Sequence, residues 1–210
     1  MKLTIHGIDD QQPIPATFAF GVPGDGEPMT LGPNRNPALT WSDAPEAARS
    51  FAVIVTDPDV PGDPSDVNQQ GKTLSANMPR VDFYHWVVAD IPGETRAIGE
   101  GEDSDGVTPK GKAPGKSAFG LRGINTFTDF LAGDPNMGGT YGGYDGPCPP
   151  WNDELVHRYR FTLYALDVDS LGLAGEFTGA DALEAMEGHI LDQATVTGTY
   201  TLNPDLRRGA

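Results

Sequence analysis

Two aspartates, Asp57 and Asp59, sit in the apolar run VIVTDPDVP with one proline between them. Carboxylates at a strand end can accept hydrogen bonds from an ammonium, a hydroxyl or a singly protonated phosphate, and in an enzyme they could act as acid, base or metal ligand. Pro58 biases Asp57 toward an extended backbone and fixes its own φ, so the two side chains are expected to project to one side. The other reading of Asp-Pro-Asp is an Asx-type turn in which each carboxylate accepts backbone N–H groups. Two histidines fall in or at strand-like runs: His85 in DFYHWVVADIP and His157 at the head of HRYRFTLYALD, two residues before Tyr159. If these runs are neighbours, Asp57, Asp59, His85, His157 and Tyr159 can line one small cavity. Carboxylates beside both imidazoles would raise their pKa values, giving cationic donors for a phosphate or head group and an anion affinity that falls between about pH 5 and 8. His6 and His189 have no comparable neighbours in the sequence.

A further candidate is GGTYGGYDGPCPP at 138–150. Its glycines permit close backbone approach and could offer N–H groups to an anion, while Pro149 and Pro150 fix an extended rim. It lacks the Gly-Lys-Ser/Thr ending of a nucleotide-binding P-loop, and neither His-Glu-x-x-His nor Gly-x-Ser-x-Gly occurs in the chain. Cys148 has no activating base evident in sequence. A non-catalytic binding site is therefore expected, with no cofactor and no metal. The alternative is a phosphoesterase-type hydrolase using the Asp/His group with or without a metal.

The elements that must position these residues are mostly strands. SFAVIVTD, from Ser50, is apolar at successive positions, as in a strand covered on both faces. The run 82–92 has the same character; in strict alternation His85 shares a face with Phe83 and Val87, opposite Tyr84, Trp86 and Val88. In 157–167 the residues His157, Tyr159, Phe161, Leu163 and Ala165 share one face. Shorter strands are expected at 3–5, 17–20, 38–41 and 195–202. One helix is predicted, TGADALEAMEGHILDQ, with Ala182, Leu183, Met186, Ile190 and Leu191 as its apolar stripe, Asp181 in its first turn and Gly188 as a weak point. The stretches 21–37, 60–80 and 93–150 read as long loops.

The chain has 210 residues with no composition shift, so a single domain over 1–210 is expected. Its 14 basic and 30 acidic residues give a net charge of −16, which disfavours nucleic acid and stable membrane association. The start MKLTIHGIDD does not read as a signal peptide, no long apolar run occurs, and the lone cysteine excludes an internal disulfide, so the cytoplasm is the expected location.

VTDPDVP, FYHW, GIN at 123–125, GGYDGPCPP and HRYRFTLYALD, in that order, resemble the phosphatidylethanolamine-binding proteins, in particular the bacterial YbhB/YbcL or Raf kinase inhibitor-like branch. The resemblance spans 50–167, and EGHILDQATVTGTYTL is similar to the branch's carboxy-terminal helix and strand. It implies a mainly β fold: a sandwich of two antiparallel sheets with a few peripheral helices. It further implies a small pocket for phosphate-like anions or phospholipid head groups containing Asp57, Asp59, His85, Pro149, Pro150, His157 and Tyr159, with Cys148 on the rim. Members of the family inhibit kinases or proteases, so pocket occupancy could modulate a protein partner, whose identity the resemblance does not give. Bacterial relatives suggest a homodimer. The segments 60–80 and 126–138 are longer than is usual in the family, and both could reshape the pocket entrance.

Overall fold

The computed structural model describes residues 1–207. Eleven strands are present: β1 (Lys2–Ile5), β2 (Gly21–Val22), β3 (Thr30–Leu31), β4 (Leu39–Ser42), β5 (Ser50–Pro61), β6 (Arg80–Pro92), β7 (Ala97–Ile98), β8 (Gly115–Lys116), β9 (Leu121–Arg122), β10 (His157–Leu166) and β11 (Ile190–Tyr200). Three short α-helices accompany them: α1 (Phe127–Phe130), α2 (Gly179–Ala185) and α3 (Pro204–Arg207). A six-stranded sheet of order β11-β10-β5-β6-β9-β8 faces a three-stranded sheet of order β1-β4-β7, and β2 pairs with β3 alone. Every strand pairing is antiparallel. No helix among the described residues is long and apolar enough to cross a membrane.

The unbroken apolar run of β5 has a structural cause: it lies inside the large sheet between β10 and β6, and Ser50 to Val55 are all buried. One face packs Phe51, Val53 and Val55 with Phe161 and Leu163 against Leu39, Trp41 and Ile98 of the small sheet. The other packs Ala52 and Ile54 with Val87 and Ala89 against Ala182 and Met186. Strand β10 alternates as read, with His157, Tyr159, Phe161, Leu163 and Ala165 buried.

Three expectations are corrected. Residues 17–20 are not a strand: a 3-10 turn spans Ala16–Phe18, closed by Phe18 N–H donating to the Pro15 carbonyl at 3.0 Å, and pairing resumes only at β2. The helix predicted to reach 193 ends after Ala185. Its start is a capping box between Thr178 and Asp181, but Gly188 adopts φ +81°, and Ile190 and Leu191 are half-exposed residues of β11, with Ile190 paired to Leu166. In β6 strict alternation fails at His85. Trp86 pairs with Val55 and Tyr84 with Thr56, so His85 is the extra residue of a bulge. His85 and Trp86 consequently both turn toward the side of Tyr159 and Val88, while Tyr84 and Val87 pack on the α2 side.

The long loops are organised. Strands β7 to β9 and α1 interrupt 93–150. The segment after β5 is pinned by Asn152, whose Oδ1 accepts from Asn68 N–H at 2.9 Å and whose Nδ2 donates to the Asp66 carbonyl at 2.9 Å.

Candidate functional site

A second bulge shapes the Asp-Pro-Asp stretch. Asp57 pairs with Phe83 and Val60 with Val81, three steps on β5 against two on β6, so the strand gains a residue at Pro58–Asp59. The two carboxylates then part. Asp57, 1% exposed, lines a cavity of about 530 Å³ at this end of the sandwich. Asp59 does not: it is held by Arg158, whose Nε and Nη2 donate to it at 2.9 and 2.6 Å and whose backbone N–H adds a third bond at 2.9 Å. Burial alone would raise the pKa of Asp59, and the bonds from Arg158 outweigh it, holding the carboxyl below the usual range. The Asx-type reading is met in part, since Asp57 Oδ1 accepts the Asp59 N–H at 2.8 Å.

His157 lies behind Asp57 and outside the cavity lining. It is fully buried; its Nδ1 donates to Asp57 Oδ2 at 2.7 Å and its Nε2 to Asp153 Oδ2 at 3.2 Å. Arg80 completes the row with two bonds to Asp153, at 2.5 and 3.0 Å. Burial opposes protonation of His157, but bonds to two carboxylates win and its pKa rises to about 9. Charges alternate along Arg80, Asp153, His157 and Asp57, and the Asp59–Arg158 pair adjoins them. Three carboxylates balance three cations.

His85 has the opposite electrostatics. It lines the cavity, packed between Phe83, Phe127 and Tyr159 at ring distances of 4.8, 5.5 and 5.1 Å. Desolvation dominates the attraction of Asp57, so its pKa is lowered and the ring is neutral at pH 7. The expectation of two imidazolium donors is thus corrected: one imidazole is charged and sequestered, the other faces the cavity uncharged. Nδ1 donates to the Asp145 carbonyl at 2.8 Å, which fixes the tautomer and leaves Nε2 as an acceptor with no protein partner among the described residues. Asp145 N–H answers with a bond to the His85 carbonyl at 3.0 Å. The Asp145 side chain is in turn held by Asn34, Asn125 and Lys112 at 2.7, 2.8 and 2.9 Å.

Tyr159 brings the third polar group to the cavity. Its hydroxyl is buried and closes no hydrogen bond of ordinary length among the described residues, although the Asp57 carboxylate stands near enough to draw on it; burial together with Asp57 holds its pKa well above the ordinary value, so it remains an O–H donor. Pro149, Pro150 and Cys148 also line the cavity. Burial pushes the Cys148 thiol up to about 12.

The glycine-rich loop does not serve as an anion nest. The N–H groups of Gly142, Tyr144, Asp145 and Gly146 go to the Lys112 carbonyl, Asp103, the His85 carbonyl and Asn34. What its glycines permit is contact: a Cβ on Gly146 would stand 1.9 Å from the Phe18 carbonyl oxygen. His6 is exposed and His189 half-buried, bonded to Thr40 and Asp167 respectively. No group of three or more His, Cys, Asp or Glu side chains among the described residues is arranged to hold a metal ion.

Sequence reasoning missed Arg80, Asp153, Asp145 and the apolar walls. Asp153 stands four residues before His157, and Asp145 lies within the glycine-rich run; both were visible as acids but not as partners. The walls come from Phe20, Phe83 and Phe127, with Phe20 and Phe127 stacked at 4.5 Å. Among the described residues no Lys or Arg lines the cavity, and Asp129 and Asp134 stand among its lining residues as exposed side chains.

A family model described as "Phosphatidylethanolamine-binding protein" matches residues 4–201. A UPF0098 protein of Methanothermobacter thermautotrophicus is 34% identical over 200 residues, covering 95% of this chain and 98% of the relative. The UPF0098 protein YbhB of Escherichia coli is 30% identical over 202 residues, covering 96% and 100%. The crystal structure of Escherichia coli YbcL, described as a member of the mammalian PEBP family, superposes with a TM-score of 0.67 at 24% identity, covering 95% of this chain and 97% of that one. The chain belongs to the phosphatidylethanolamine-binding protein family, in its YbhB/YbcL branch.

Proposed function

We propose that the protein is a non-catalytic binding protein that takes the head of a small phosphate-containing or zwitterionic ligand at Asp57, His85 and Tyr159. Family membership supports a binding protein of this type. The observation that carries the reading is the Tyr159 hydroxyl: buried in the cavity lining, it has only a long-range pull from Asp57, and a buried donor left unsatisfied costs up to about 1–3 kcal/mol unless something in the cavity accepts from it. Beside it stand two acceptors, Asp57 and the unprotonated Nε2 of His85. A ligand matching this set carries its own protons, as an ammonium, a hydroxyl or a singly protonated phosphate, together with an oxygen for Tyr159. A bare phosphate dianion would find one donor and a carboxylate. Asp59 and His157 act at one remove in this reading: His157 holds Asp57 in place and offsets its charge, and Asp59 anchors the bulge through Arg158.

The hydrolase alternative gains no support from the geometry. The thiol of Cys148 is held protonated, and Asp57 is already bonded to His157 and to the Asp59 N–H. On the reading proposed here the protein works in the cytoplasm.

Titration calorimetry with O-phosphoethanolamine and with inorganic phosphate tests the proposal. Phosphoethanolamine should bind more tightly than phosphate at pH 7. Tyr159→Phe should weaken it about tenfold, the equivalent of about 1.4 kcal/mol and ordinary for a hydrogen bond to a charged oxygen, while leaving the fold at least as stable. With His85 neutral above its lowered pKa, affinity should hold level from about pH 7 to 8 and fall on acidification. Equal binding by wild type and Tyr159→Phe would remove the hydroxyl, and with it the proposal.

A further inference from the structure

We propose that Arg80 is a specificity-determining residue of the pocket: a buried cation behind the polar end, outside the cavity lining, that cancels the charge of Asp153 and so lets a site whose lining charges are all acidic accept a phosphate. The proposal rests on the reading above, that a polar head sits at Asp57, His85 and Tyr159. It adds the residue that decides which head charge the site admits.

The lining sets the problem. Among the described residues its charged side chains are Asp57, Asp129 and Asp134, with no Lys or Arg, and His85 is neutral at pH 7. An anion entering such a site is opposed by charge of its own sign, and the net charge of −16 adds to the opposition. His157 offsets Asp57, but it bonds to Asp153 as well, so these three side chains together carry one negative charge. Burial would raise the pKa of Asp153, and the bonds from His157 and Arg80 outweigh it, which keeps it a carboxylate. Arg80 brings the sum to zero.

Geometry holds that charge in place. Nη1 of Arg80 donates to Asp153 Oδ2 at 2.5 Å and to the Asp59 carbonyl at 2.7 Å, while Nη2 donates to Asp153 Oδ1 at 3.0 Å and to the Ser75 carbonyl at 2.8 Å. The guanidinium thus ties the bulge of β5 to the 60–80 segment and to the stretch before β10. Its side chain is 12% exposed and that of Asp153 1%, so little water lies around the pair to screen it. Lys2, Arg49 and Lys72, by contrast, pair with acids at the surface, where salt and water weaken their field. Neither Arg80 nor Asp153 falls in VTDPDVP, FYHW, GIN, GGYDGPCPP or HRYRFTLYALD, the motifs that carry the family resemblance. Arg80 instead closes the 60–80 segment, which is longer here than is usual in the family.

The size of the effect follows from Coulomb's law. A unit charge about 12 Å from the ligand, acting through an effective dielectric of about 20, changes the affinity of a singly charged head about tenfold. Its sign depends on the head: the charge of Arg80 favours a phosphate and disfavours an ammonium.

The test uses two small probes of opposite charge, inorganic phosphate and ethanolamine, titrated at pH 7 and low salt and followed by NMR through the ring signals of His85 and Tyr159. Arg80→Met should weaken phosphate at least about tenfold and tighten ethanolamine about tenfold, a swing of about a hundredfold in their ratio. Loss of a purely structural brace would weaken both. Arg80→Lys keeps the charge without the fork and should hold the ratio within about threefold of wild type. Ser75→Asp, at an exposed position beside the guanidinium, sets an opposing charge there and leaves the buried bonds intact. It should move the ratio in the same direction as Arg80→Met by about two- to threefold, and it decides the matter if Arg80→Met does not fold. Equal weakening of both probes in Arg80→Met, or an unchanged ratio in Ser75→Asp, would overturn the assignment of Arg80 and leave the head-group reading standing. A wild-type chain that binds neither probe would overturn the head-group reading and the assignment of Arg80 with it.

Discussion

If His157 is an imidazolium clamped between Asp57 and Asp153, the stability of the protein must fall with pH in a window where ordinary histidines have finished titrating. Its pKa is about 9 in the folded chain against 6.5 for a free side chain. A folded-state pKa raised above the unfolded value stabilises fully below pH 6.5 and is lost as pH climbs through 9. At 1.36 kcal/mol per unit the whole contribution is about 3 kcal/mol, and the part lost between pH 7 and 8.5 is about 2 kcal/mol. With a urea slope of roughly 2 kcal/mol per molar, the unfolding midpoint should drop by about 1 M over that interval. The measurement belongs in a Cys148→Ala background. The Cys148 thiol, held at about 12 in the folded chain, ionises far earlier when unfolded and adds a slope of the same sign toward pH 9. His157→Gln should abolish the slope. Because that variant leaves Asp57 and Asp153 without their shared cation, at a cost of about 3–5 kcal/mol, a second readout is needed. The His157 Cε1 proton, followed by NMR in the intact chain, should keep its protonated shift past pH 8. A midpoint in urea that stays level from pH 6.5 to 8.5, or a His157 titration centred below pH 7, would refute the charge row on which the geometry of Asp57 depends.

Two other outcomes follow from the same structure. Gly146→Ala should lose about 1–3 kcal/mol or more, because the new Cβ would fall on the Phe18 carbonyl to which the Tyr144 hydroxyl donates at 2.6 Å; an unchanged urea midpoint would show that the loop yields. Cys148, half-buried in the cavity lining with its thiol pushed up to about 12, should react with a disulfide reagent at pH 8 more than about tenfold more slowly in the folded chain than in urea, even though a thiolate of higher pKa is the better nucleophile, and equal rates would show that it ionises as readily folded as unfolded.

Periodicity and residue type determined a good part of this molecule. The doubly apolar run 50–55 and the alternating run 157–165 named two adjacent strands of the large sheet and their buried faces, and the ordered motifs named the family. Those signals are local: a strand covered on both faces has no polar side, and one covered on a single face must alternate. The three polar residues at the closed end of the cavity, Asp57, His85 and Tyr159, were also legible as a group.

What only the tertiary structure decided is where each charge goes. Two bulges, at His85 and at Pro58–Asp59, changed which face a side chain takes, and a single inserted residue leaves no mark in the pattern of a strand. The protonation states depended on partners brought together by folding. His85 and His157 are the same residue in similar runs, yet one is lowered by burial and the other raised by Asp153 and Asp57, one of them a hundred residues away. The apolar cavity was equally hidden, because Phe20, Phe83, Phe127 and Phe130 are spread over more than a hundred positions and converge only when β6, α1 and the turn before β2 pack together. Local sequence carries the shape of each strand; solvation and long-range contact, which set the chemistry of the site, exist only once the strands have met.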